Sequence, residues 1–77
     1  MRPDVIRRML RQRPFEPFRV FVLDGTSYDI RHPELILLER ATLSIPAAAA
    51  NHPVPMVERE VLVAVFAVSR LEPLDPH

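Results

Sequence analysis

Cysteine is absent from the 77-residue chain, so no disulfide can cross-link it and no thiolate can bind zinc or act as a nucleophile. A single glycine, Gly25, excludes a glycine-rich phosphate loop. Tryptophan and lysine are also missing. No apolar run approaches the roughly 18 residues of a membrane-spanning helix. The opening Met1-Arg2-Pro3-Asp4 does not lead into the apolar core of a secretory signal. These absences predict a soluble, cytoplasmic chain without a membrane partner. A domain this short, without disulfide or metal, buries only about 60–65% of its unfolded surface, which makes self-association a natural source of stability. The expectation is one domain, residues 1–77.

What is present is a hydrophobic content of 48%, too high for intrinsic disorder. All ten basic residues are arginine, and with nine prolines the usage suggests a GC-rich coding bias. Net charge is zero, but the charges are segregated. Residues 1–19 carry six arginines against Asp4 and Glu16, a net +4; residues 20–77 carry four arginines against eight acids, a net −4. A basic end on an acidic body suits either an anionic partner or a head-to-tail contact between copies.

Residues 3–13 read as a helix. Pro3 and Asp4 suit a first turn, Val5, Ile6, Met9 and Leu10 form one apolar stripe, and Arg7, Arg8 and Arg11 lie opposite. Residues 18–45 read as a β meander. In Phe18–Leu23 both faces are largely apolar, which predicts cover on both sides. Asp24-Gly25 predicts a type I′ hairpin turn. Thr26–Arg31 alternates, and His32-Pro33 breaks or bends the strand. Residues 46–57 read as a loop, its four alanines marginal for a helix between prolines. Residues 58–74 read as C-terminal strands. Their β-branched run from Val61 to Val68 predicts a central strand, or an edge strand covered by a neighbouring copy, because an exposed edge of this composition would aggregate. The fold class expected is mainly β with an N-terminal helix: a small, bent antiparallel sheet or partial barrel.

The spacing of Arg13, Pro17, Phe21 and Gly25 matches R-x-x-x-P-x-x-x-F-x-x-x-G, with Asp24 preceding the glycine. Ala67, Val68, Ser69, Leu71 and Pro73 fit the later part of Y-K-H-A-I-S-x-V-x-P. In these motifs, and in its order of helix then strands, the chain resembles the Sm-like fold, and within it the bacterial RNA chaperones of the Hfq family. The likeness covers residues 4–31 and 61–74 and implies a small barrel of Sm-like or SH3-like form. It implies RNA binding, a ring-shaped oligomer and no enzymatic activity. The family's Lys-His pore pair falls on Val65 and Phe66, which bind neither phosphate nor a uracil edge. Of its basic rim, on residues 12–15, only Arg13 matches. The chain also resembles a group of small bacterial proteins sharing PFxPFR, DG and RHPE elements, which implies no activity.

The residues singled out for function are Arg7, Arg8, Arg11 and Arg13, with Arg19 beside them. Guanidinium groups bind phosphates through paired hydrogen bonds, and Phe15 and Phe18 offer rings on which a base stacks. The bland reading is a solvated helix face with both phenylalanines in the core. A second cluster, Tyr28-Asp29-Ile30-Arg31-His32-Pro33-Glu34, pairs His32 with Asp29 or Glu34 in the manner of a general acid and base, and His52 or His77 would extend it toward a metal site. No HxH or HExxH spacing supports that, and Ser44 and Ser69 lack the glycines of a nucleophile elbow. The sequence therefore predicts a non-enzymatic domain with no cofactor, metal or evident small-molecule substrate. RNA is its expected partner, and it self-associates by strand addition. A protein-interaction module without nucleic acid is the alternative.

Overall fold

A computed structural model describes residues 1–74. The chain is mainly β with one N-terminal helix, as its composition implies. The helix α1 (Pro3–Leu10) places Pro3 in the first turn and Asp4 beside the positive end of the dipole. It stops earlier than residue 13. Arg11 closes it, its N–H shared between the carbonyls of Arg7 and Arg8 at 3.1 and 3.2 Å. Pro14 excludes the α region for Arg13, so the chain has left the helix before it. Ile6 is buried, and Met9 and Leu10 pack against the core.

Six strands follow: β1 (Phe18–Val22), β2 (Ser27–Ile30), β3 (Leu37–Glu39), β4 (Thr42–Pro46), β5 (Glu60–Ala64) and β6 (Val68–Pro73). They form two three-stranded antiparallel sheets, ordered β2-β1-β6 and β3-β4-β5. The sheets are not closed into a barrel. The chain crosses from the first to the second at His32-Pro33, where a 3₁₀ turn (Pro33–Leu35) replaces the ladder that proline cannot extend. It returns through a second 3₁₀ turn (Val65–Ala67). The run from Val61 to Val68 is therefore not one strand. Its first half is an edge of one sheet and its second half begins an edge of the other. The link between them is stitched to both sheets, from the Val65 N–H to the Ala41 carbonyl (2.8 Å) and from the Leu23 N–H to the Ala67 carbonyl (2.9 Å).

The core lies between the sheets: Ile6, Phe18, Val20, Tyr28, Ile30, Leu43, Ile45, Val63, Val65 and Val68. In β1 only the face of Phe18 and Val20 is buried; Arg19 and Phe21 are half-buried on the outer face, so cover on both sides is not found. The Asp24-Gly25 turn is also not type I′. Gly25 alone has positive φ, at 92°, and Leu23-Asp24-Gly25 form a three-residue loop, with Gly25 N–H donating to Val22 O and Val22 N–H to Thr26 O. This is the type I turn followed by a left-handed residue, the next most common hairpin connection. The Asp24 carboxylate fixes it by accepting from the Thr26 amide (2.9 Å) and hydroxyl (2.6 Å), bonds that hold its pKa below the ordinary carboxylate value.

The segment expected as a loop is tied down at its start. Ala47–Ala49 make one 3₁₀ turn, Ala50 bridges to Tyr28, and the Asn51 N–H donates to Ser27 O at 3.0 Å. One short turn suffices because the alanines lack the length to nucleate a helix.

Candidate nucleic-acid interface

Arg7, Arg8 and Arg11 stand with Asp4 at the i, i+3, i+4, i+7 positions of α1, which share one face. On the opposite stripe Ile6 is buried and Met9 and Leu10 pack against the core, so this face is turned outward, and with Gln12 it lines an open concavity. Arg7 reaches the Asp4 carboxylate at 3.3 Å, an exposed contact. Arg8 and Arg11 are exposed and have no ion-pair partner among the described residues. Arg13 lies past the helix end, at a cis Arg13–Pro14 peptide bond, and its guanidinium donates to the carbonyl of Gln12 at 2.8 Å. The structure thus aligns three of the four arginines and leaves Arg13 beside them rather than among them.

Arg19 belongs elsewhere. It lies on the outer face of the first sheet, in cross-strand register with Asp29 on one side and Glu72 on the other. Its Nε and Nη2 donate to both oxygens of Asp29, at 2.7 and 3.3 Å. That bond raises the Arg19 pKa despite partial desolvation, with Glu72 adding to the effect. The same bond lowers the pKa of Asp29 against its own burial, helped by a hydrogen bond from Asn51 at 2.7 Å. A guanidinium held this way has little left for phosphate. Phe18 is also unavailable, being 1% exposed in the core, with Phe15 tilted against it at 5.9 Å between ring centres. The aromatic ring left in solvent is one the sequence did not suggest: Phe66, 73% exposed, on the 3₁₀ turn against which α1 packs.

The second cluster does not converge. Tyr28 is buried, Asp29 is occupied by Arg19 and Asn51, and His32 stands 3.7 Å from Glu34 with both side chains in solvent. His52 packs edge-on against Tyr28 at 5.1 Å, and His77 lies outside the described residues. Among the described residues no three His, Asp or Glu side chains are grouped as metal ligands. Ser44 donates to Glu60 at 2.6 Å and Ser69 to the carbonyl of Phe21 at 3.1 Å. No helix of the described residues is long and apolar enough to cross a membrane.

Sequence reasoning missed two things. Asn51 lies 22 residues from Asp29, and no local signal pairs them. The outer face of the second sheet brings together Leu37 and Glu39 of β3, Thr42 and Ser44 of β4, and Glu60 and Leu62 of β5. Alternation along each strand puts the members of each pair on one face, but only the register places the three strands side by side. Comparison of the chain with family models, with curated proteins and with solved structures finds no match in any of the three.

Proposed function

We propose that the protein is a non-enzymatic, self-associating small β domain that binds RNA through the arginine face of α1. The observation that carries this reading is the alignment of Arg7, Arg8 and Arg11 on one exposed helical face, with Arg8 and Arg11 free of acidic partners among the described residues. In this mechanism guanidinium–phosphate contacts supply affinity that is sensitive to salt and nearly indifferent to sequence. Arg13 adds a fourth charge at the helix end, and Phe66 is an exposed ring next to the helix on which an unpaired base stacks. The order of helix, bent strands and a short turn before the last strand supports the Sm-like likeness. It goes with strand addition at β5 or β6, each of which has a strand on one side only. The test is retention of a fluorescent single-stranded RNA by the chain and by the triple variant R7E/R8E/R11E, with folding checked by circular dichroism. Loss of binding in a folded variant supports the reading; unchanged binding removes it.

A protein-interaction module without nucleic acid is the second reading. The acidic, leucine-bearing outer face of the second sheet favours it.

A further inference from the structure

The two sheets treat their outer faces differently. On the first, every charge is answered: Arg19 lies between Asp29 and Glu72, and Arg70 covers the Phe21 ring at 3.8 Å while bonding Glu72 at 3.2 Å. On the second, Glu39 and Glu60 enter no ion pair among the described residues. Between them run Leu37, Ser44 and Leu62, in direct register across three strands, with the leucines 54% and 66% exposed. The face is concave, with Leu37 and Leu62 at its centre, Glu39 at one end with Arg40 beside it, and Glu60 at the other end. Its two carboxylates outnumber that one guanidinium, whereas on the outer face of α1 three arginines outnumber Asp4.

We propose that this face is a docking surface for α1 of a second copy of the chain, with Arg7, Arg8 and Arg11 meeting Glu39 and Glu60 while their aliphatic stems lie on Leu37 and Leu62. It rests on the self-association in the proposed function, names helix-to-sheet docking rather than strand addition as the contact, and does not depend on RNA binding. Charge complementarity selects the occupant. The basic excess of residues 1–19 equals the acidic excess of the rest, and Arg8 and Arg11 on the helix face and Glu39 and Glu60 on the sheet face have no ion-pair partner among the described residues. Arginine stems cover apolar surface readily while the guanidinium stays near water. The contact is heterologous, so each copy offers a helix to one neighbour and a sheet face to another. It is also small, which makes it weak and salt-sensitive.

Charge exchange tests it, read by sedimentation equilibrium in RNA-free protein. The wild type is expected to gain mass with concentration and to lose that gain in high salt. R7E/R8E/R11E alone and E39R/E60R alone should both stay at monomer mass, each having helix and face of one sign. An equimolar mixture should associate again, because every helix then finds a face of opposite sign. Circular dichroism confirms that each variant is folded. A wild type that is monomeric throughout, an E39R/E60R variant that associates as before, or a mixture that stays monomeric overturns the proposal. Association by strand addition alone would survive both reversals. E39Q/E60Q keeps all four helix-end arginines and adds no positive charge, so its RNA binding reports on the RNA reading separately.

Discussion

If α1 binds RNA as proposed, the salt dependence of that binding follows from the helix. Binding to single strands follows a log–log slope of about −0.7 per phosphate contact. Four contacts, from Arg7, Arg8, Arg11 and Arg13, give a slope of about −2.8, so affinity falls about 50-fold between about 50 and 200 mM salt. Arg7 is partly answered by Asp4 at 3.3 Å, which lowers the effective number toward three. Three contacts give a slope of about −2.1 and a loss of about 18-fold. The perturbation is Arg8→Ala, which removes one exposed charge and leaves the apolar stripe of α1 untouched. The slope should become shallower by about 0.7, with weaker binding at every salt concentration. Asp4→Asn should move the other way, tightening binding at low salt by releasing Arg7. Fluorescence anisotropy with a labelled oligonucleotide, titrated at several salt concentrations, measures both. A wild-type slope near zero, or Arg8→Ala binding with the parent slope and affinity, refutes the argument that this face neutralises phosphate.

Three further outcomes test the fold. Phe18→Ala removes a ring that is 1% exposed between the sheets and should cost about 3–5 kcal/mol, a large part of the stability of a chain this size, seen as a lower urea midpoint; a midpoint unchanged from the parent would mean that Phe18 does not fill the core. Gly25→Ala should destabilise by about 1 kcal/mol through its φ of 92° and not through crowding, since an added Cβ would meet nothing within 4 Å, while Arg40→Gly, at φ 54° in the β3–β4 turn, should be neutral or stabilising; thermal denaturation of the pair separates strain from packing. Asp29 has a folded pKa below its unfolded value, so its contribution is fully present above the unfolded pKa and is lost as pH falls through the folded pKa. Thermal midpoints of the parent should therefore drop through the acid range more steeply than those of Asp29→Asn, and parallel curves would remove the Arg19–Asp29 pair as the cause.

How much of this was legible depended on whether a signal was local. The helix was, because its start, its apolar stripe and its basic face all lie within eight residues. Its end was overextended because Pro14 acts on Arg13 and the tightened last turn takes one residue more. The Asp24-Gly25 dipeptide marked the turn's place but not its type, since Leu23 joins the loop only because Val22 pairs with Thr26 and Gly25 and the Leu23 N–H turns to the Ala67 carbonyl. The apolar run from Val61 to Val68 looked like one strand for a physical reason. A segment passing between two sheets must be apolar throughout, and composition cannot show the point at which it changes partner. By sequence Arg19 and Phe18 read as ligands for nucleic acid, because their tertiary partners, Asp29 and the buried core, are invisible in one dimension.

The two uses of α1 are coupled if both hold, and the sign of the coupling follows from shared residues. A guanidinium bound to phosphate is not free for a carboxylate, so RNA and a second copy compete for Arg7, Arg8 and Arg11. Linkage then requires that whatever RNA does to association, association does to RNA affinity by the same factor. The polymer wins where its charge density is high and salt is low. The sheet face wins at high protein concentration, because Leu37 and Leu62 add an apolar contact that salt does not screen. The hydrophobic pair is what keeps the acidic face from being merely a weaker copy of RNA. It makes the self-contact fade more slowly with salt than the phosphate contact does. A helix with a single basic face can thus serve both partners, with ionic strength and concentration deciding between them.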